Sequence, residues 1–194
     1  MPKRKTFFLD QGEFLGGAER FLIDFLNTLN DSERKKIDPI LVGGKAKEYQ
    51  KILKQHSENV RLIPFSYPSV KGNFLVKFCK IFRLVLAGQR LKKFAKKESA
   101  TQFFSNTPRT HLVLFLAKKL FRIKGRWICI FHDFTLRPNF LLRMICDTAD
   151  ILVVNSMPTR NFLRSRIAES NFSKIKLVEN GVDFTCLPAT KPTQ

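Results

Sequence analysis

Short apolar runs alternate with helix-patterned stretches along almost the whole chain, and this alternation constrains the fold more than any other feature. Thr6–Leu9, Ile37–Val42, Val60–Pro64, Ala100–Ser105, Trp127–Phe131, Ile151–Val154 and Ile175–Val178 read as strands. Between them, Ala18–Leu29, Lys47–Gln55, Phe74–Lys97, Thr110–Phe121, Phe140–Thr148 and Thr159–Glu169 read as helices. In the first of these, Phe21, Leu22, Phe25, Leu26 and Leu29 fall at helical spacing. Strands separated by helices are joined by crossovers rather than hairpins, so they pair in parallel and are covered by helices on both faces. The expected fold is therefore α/β, an open parallel sheet. In such a sheet ligands bind at the carboxyl ends of the strands. Gly16, Asn106, His132, Ser156 and Asn180, each of which follows a strand, are expected to converge there.

The first strand leads into Gly16-Gly17, and the first helix begins immediately after. Two glycines at a strand-to-helix turn leave no Cβ in the way of a ligand. The helix N-terminus behind them presents unpaired N–H groups and the positive end of a dipole, an arrangement suited to phosphate. Two common nucleotide motifs are excluded. Gly12, Gly16 and Gly17 lack the G-x-G-x-x-G spacing, and no G-K-[ST] occurs.

Charge narrows the partners. The 194 residues hold 35 Lys and Arg against 16 Asp and Glu, a net charge of +19, which draws polyanions, acidic headgroups or phosphorylated substrates. The phenylalanines sit at core-like spacings rather than on a stacking surface, and no nucleic-acid module is recognisable, which disfavours nucleic acid. Cys79, Cys129, Cys146 and Cys186 are scattered, without a C-x-x-C pair, and read as reduced thiols of a cytoplasmic protein rather than as metal ligands. No apolar run reaches the ~18 residues of a membrane span.

Four segments in order carry a family resemblance. Gly16-Gly17-Ala18-Glu19-Arg20-Phe21-Leu22, Phe131-His132-Asp133, Ala149-Asp150-Ile151-Leu152-Val153-Val154-Asn155-Ser156 with Thr159 and Leu163, and Lys174-Ile175-Lys176-Leu177-Val178-Glu179-Asn180-Gly181-Val182-Asp183 together resemble glycosyltransferase family 4. Glu179 stands where the family usually has proline, and Asn155 where a smaller or apolar residue is common. The resemblance implies a Rossmann-like domain that is one half of a two-domain GT-B architecture, with a retaining transfer mechanism. Residues 1–187 would form the N-terminal, acceptor-side domain, and 188–194 a linker or chain end. The C-terminal donor-binding domain, with its Arg/Lys pair and E-x-seven-E carboxylates, is not in this sequence. The donor would be a nucleotide-diphosphate sugar, with no obligatory metal or other cofactor, and these residues alone would be inactive.

On this resemblance His132 and Asp133 are the catalytic candidates, His132 orienting hydroxyls of the reacting sugar or acceptor. Gly16, Gly17, Asn106, Thr107, Ser156 and Asn180 are candidates for binding the donor diphosphate or the acceptor. Asn106-Thr107-Pro108 also reads as an ordinary turn, while His111 and His56 read as structural or exposed. The helix Phe74–Lys97 interleaves phenylalanines with Lys77, Lys80, Arg83, Lys92, Lys93, Lys96 and Lys97. This pattern suits a peripheral contact with an anionic leaflet on the inner face of the membrane, and hence a lipid-linked or membrane-proximal glycan acceptor. The Lys118-Lys119, Arg122, Lys124, Arg126 cluster would extend that surface. The alternative is a non-catalytic, membrane-recruited subunit that pairs with a separately encoded donor domain.

Overall fold

The computed structural model describes residues 4–11, 17–30, 32–33, 37–43, 51, 60–68, 74–132 and 139–179. Seven strands form one sheet: β1 (Arg4–Asp10), β2 (Ile37–Gly43), β3 (Arg61–Ile63), β4 (Gln102–Ser105), β5 (Arg126–Phe131), β6 (Ile151–Val154) and β7 (Ile175–Leu177). Their spatial order is β3-β2-β1-β4-β5-β6-β7, and every pairing is parallel. Among the described residues the helices of at least two turns are α1 (Gly17–Thr28), α2 (Phe74–Glu98), α3 (Pro108–Phe121), α4 (Asn139–Thr148) and α5 (Met157–Arg164). The strand–helix alternation, the parallel sheet and its Rossmann-like layout all match the expectation. The expected Lys47–Gln55 helix and His56 lie outside the described residues. The last expected helix, Thr159–Glu169, instead spans Met157–Arg164 and is followed by a separate 3₁₀ turn, Glu169–Lys174. Ser156 starts α5 earlier than the apolar pattern suggested, because its side chain accepts the Thr159 N–H and caps the helix.

Side-chain alternation along the strands builds two layers. Phe7, Leu9, Ile40, Val42, Phe103, Trp127, Cys129, Phe131, Leu152 and Val154 face the larger layer, where α2, α3, α4 and α5 pack. Phe8 and Leu41 face the opposite side, beneath Leu22, Ile23 and Leu26 of α1. Both faces of β1 are therefore buried, which explains its uninterrupted apolar sequence. Each fully buried side chain of this kind contributes about 1.5–3 kcal/mol. Stacked Phe8 and Phe104 rings, 4.8 Å between centroids, join β1 to β4 on the α1 face.

Gly43 closes β2 with φ +131°, and a Cβ there would lie 1.8 Å from the Asp10 carbonyl oxygen. Glycine is thus required where β2 passes the end of β1. At the amino ends of the strands, Arg61 pairs with Glu98 at 3.0 Å and Asp38 at 3.6 Å, tying β3 to the end of α2. Cys129 and Cys146 are free, buried thiols, and burial raises both pKa values, that of Cys146 to about 12.

Candidate functional site

β1 lies between β2 and β4, so the strand order reverses beside it. The helices that follow β1 and β4 pack on opposite faces, α1 on one and α3 on the other, the arrangement that opens a crevice at the carboxyl ends of a parallel sheet. Two further features flank this point. α1 begins there, its exposed first residue Gly17 having open space where a Cβ would stand, with nothing described within 4 Å. On the other side the ends of β4 and β5 present Asn106 and His132.

His132 is half-buried, and its Nε2 lies 2.5 Å from Oδ1 of Asn106, itself only 6% exposed. An amide oxygen only accepts, so Nε2 carries the proton and donates; a neutral ring then leaves Nδ1 as an acceptor. The ring meets Phe21 of α1 edge-on, with centroids 5.2 Å apart and planes at 70°. Behind this pair an apolar cavity of about 110 Å³ runs beneath α1, lined by Phe8, Phe21, Phe25, Phe104, Asn106 and Ile130 among others. The site thus combines a fixed hydrogen-bonding imidazole with an aromatic wall. Such a lip can meet both the hydroxyls and the C–H faces of a sugar.

Of the sequence candidates, the structure brings Asn106 and His132 together, and places the first turn of α1, which Gly17 opens, beside them through Phe21. Thr107 and Ser156 are helix N-caps. Thr107 forms a capping box with Thr110 at the start of α3, and Ser156 Oγ lies 2.8 Å from Thr159 Oγ1 at the start of α5. Ser156 follows β6, the strand paired with β5, which His132 follows. Gly16, Asp133 and Asn180 lie outside the described residues. Phe21 was missed as a site residue because its helical spacing reads as core. The one available signal was its position, four residues after the second glycine.

Beneath this surface runs a buried polar chain that the sequence did not suggest. Trp127 Nε1 donates to Ser105 Oγ at 2.8 Å, and Ser105 Oγ lies 2.7 Å from His111 Nδ1. His111 is 2% exposed and its ring packs 5.1 Å from that of Phe131. Of the two readings expected, structural or exposed, its burial excludes the exposed one. Burial is the main cause that pushes its pKa down to about 3, helped by the neighbouring His132 and opposed by a hydrogen bond to the Ile130 backbone. An unfolded histidine protonates near 6.5, so this group's contribution to stability is complete above about pH 6.5 and is lost as pH falls toward 3. Thermal unfolding between pH 7.5 and 4 should show the Tm declining with acid, and declining less steeply in a His111→Asn chain. Parallel slopes for the two proteins would count against this assignment.

The basic surface is divided by the fold. On α2, Arg83 and Lys93 line a groove with Arg90, Leu86, Phe94 and the 64–68 segment, next to exposed Phe82 (62%) and Ile81 (53%). Lys92 and Lys96 turn the other way, toward Arg122 and Lys124. Lys97 is exposed, and the side chains of Lys77 and Lys80 lie outside the described residues. Lys118 does not extend the surface: its Nζ donates to the Gly125 carbonyl at 2.6 Å and sits 3.8 Å from Asp150, and burial lowers its pKa. Among the described residues no group of three His, Cys, Asp or Glu side chains could hold a metal ion, and no described helix is long and apolar enough to cross a membrane.

Comparison with solved structures finds the same architecture in glycosyltransferases. The Anabaena Alr3699/HepE protein, crystallised with UDP and glucose, superposes with a TM-score of 0.66 at 19% identity, over 94% of this chain and 46% of that one. A glycosyltransferase from Rickettsia africae gives 0.69 at 18% identity, over 94% and 44% of the two chains. The lipopolysaccharide outer core galactosyltransferase WaaB gives 0.62 at 14%, over 98% and 50%. The chain thus spans about half the length of these proteins, and the shared fold is one half of a GT-B architecture. Comparison with curated protein sequences gives no match. The sequence model for Glycosyltransferase Family 4, however, covers residues 15–185, from the glycine turn to beyond the Asn180-Gly181-Val182-Asp183 segment. With the sheet order, the crevice and the motif segments all in agreement, the chain belongs to Glycosyltransferase Family 4.

Proposed function

We propose that this chain is the acceptor-side half of a retaining, nucleotide-sugar-dependent glycosyltransferase that acts together with a donor-binding half. The observation that carries this reading is the Asn106–His132 pair, held at 2.5 Å beside the first turn of α1 at the switch point of the sheet. Sugar transfer breaks the bond between the sugar and the nucleotide diphosphate and forms a bond to an acceptor oxygen, so negative charge grows on the departing diphosphate. The N–H groups at the start of α1 face that charge without needing to reorganise, the condition under which electrostatic stabilisation is most effective. His132 meets a hydroxyl of the bound sugar or acceptor at this lip, while Asn106 keeps the ring's orientation fixed. Asp133, Gly16 and Asn180 belong to the same cleft in this reading, and these 194 residues alone transfer no sugar.

Gly17→Ala provides the test. A Cβ at this position meets open space, and replacing a helical glycine by alanine stabilises by up to about 1 kcal/mol, so the fold should be kept. A methyl group between the helix N-terminus and a diphosphate should nevertheless reduce transfer at least about tenfold in the enzyme assembled with its donor half, at an unchanged or slightly higher Tm. Transfer kinetics equal to the parent enzyme would sink the placement of the diphosphate.

The acceptor in this reading is lipid-linked or membrane-proximal. Its support is the α2 surface, where Arg83, Arg90 and Lys93 line a groove with exposed Leu86, and Phe82 of the same helix is exposed. Each cation at an anionic leaflet contributes about 1 kcal/mol, so three to five recruit a protein that has no anchor. The chain is expected to float with vesicles containing anionic lipid and not with zwitterionic ones. Replacing Arg83, Arg90 and Lys93 by Gln should abolish flotation. Flotation that persists in this triple variant, or that ignores vesicle charge, would remove the membrane assignment.

A further inference from the structure

We infer that His111 is a positioning residue for the Asn106–His132 pair, acting through Ser105 and Phe131 from the opposite face of the sheet. The inference rests on the reading of His132 as the group that faces the sugar.

The argument begins with strand alternation. Ser105 and Asn106 are consecutive at the end of β4, and Phe131 and His132 at the end of β5, so within each pair the side chains point to opposite faces. Asn106 and His132 share the α1 face and the cleft. Ser105 and Phe131 turn into the larger layer, and both meet His111, through a 2.7 Å hydrogen bond and a 5.1 Å ring contact. One buried imidazole therefore touches the residue preceding each member of the cleft pair. The first turn of α3 adds a second grip, because Thr110 Oγ1 accepts the backbone N–H of Asn106 at 3.1 Å and that of Thr107 at 2.9 Å.

Proton bookkeeping gives the network one orientation. The Trp127 indole can only donate, so Ser105 Oγ accepts from it. The hydrogen bond between His111 and the Ile130 backbone is assigned to the nitrogen that Ser105 does not occupy, and because a carbonyl can only accept, this assignment puts the proton on Nε2. His111 Nδ1 is then a lone pair that receives the Ser105 hydroxyl proton. Ser105 sits directly opposite Cys129 in the β4–β5 register, so this chain of donors spans the two strand ends that carry the site. Buried networks satisfied in this way hold a single geometry, because rotating any member leaves a buried polar group unpaired.

The test is heteronuclear NMR of the histidine side chains in the intact 194-residue chain, which requires no sugar or donor half. In the parent chain His111 should be the Nε2–H tautomer. Ser105→Ala and His111→Leu should each move the His132 Nε2 resonance and speed solvent exchange of its proton at least about tenfold. His111→Asn, whose Oδ1 can still accept the Ser105 hydroxyl, should restore most of the parent signal. A purely structural His111 predicts lower stability with the His132 signals unmoved, and that result in any folded variant overturns the inference. If neither variant folds, an Nδ1–H tautomer for His111 in the parent chain overturns it. The outcome is independent of the transferase reading, because a His132→Ala enzyme that retains full transfer would remove the proposed function and leave the NMR result standing.

Discussion

Replacing Trp127 by alanine is expected to cost about 3–5 kcal/mol, the largest stability loss of any substitution considered for this chain. The indole is fully buried in the larger core layer, and its Nε1–H satisfies Ser105. Truncation therefore opens a cavity and removes a donor from a buried network in one step. Small domains have about 5–15 kcal/mol in total, so the variant should be near the edge of folding at 37 °C. Trp127→Phe fills most of the volume and removes only the donor, and should cost about 1–2 kcal/mol. Urea unfolding followed by circular dichroism measures both, since Trp127 is the sole tryptophan and neither variant retains its fluorescence. Equal midpoints for the two variants would show that the packing of the indole contributes little.

The largest functional effect is expected at His132. In the enzyme assembled with its donor half, His132→Ala should lower kcat/KM about 10²- to 10³-fold, the range for removing one preorganised hydrogen-bonding group from a reacting centre. Asn106→Ala should lower it by a smaller factor, since the imidazole remains but loses its fixed orientation. Because the two act as a unit, the double variant should be little worse than His132→Ala alone. Steady-state kinetics of the three variants check this. Losses that multiply independently, or a His132→Ala enzyme of parental activity, would show that the pair is not a catalytic unit.

The fold was legible because its signals are local. The uninterrupted apolar run of β1, the amphipathic pattern of α1 and the Pro108 that opens α3 each announce an element from a few neighbouring residues. The end of α5 was misplaced for a related reason: Leu163 and Ile167 are both buried and keep helical spacing, yet the helix stops at Arg164 and the chain then enters a 3₁₀ turn. The site was legible only in part. His132 and Asn106 were found individually, each at a strand end, but their 26-residue separation hid the hydrogen bond between them. The contacts that join Trp127, Ser105 and His111 were not legible because they depend on strand pairing and on how α3 packs against the sheet, and a polar residue within an apolar strand gives no sign of its partner.

The sequence by itself determined that this chain alternates strand and helix, that its sheet is parallel, that a glycine turn opens α1, and, through four ordered segments, the family to which it belongs. Each of these follows from backbone propensity, periodicity or motif spacing within a short window. Tertiary structure alone decided that β1 would lie between β2 and β4, that the ends of β4 and β5 would face the start of α1, and that His132 would meet Asn106 on one face of the sheet while His111 supports both from the other. The physical reason is that parallel pairing is non-local. Register and strand order are set by how the crossover helices bury their apolar faces, and those contacts join residues that are far apart in the chain.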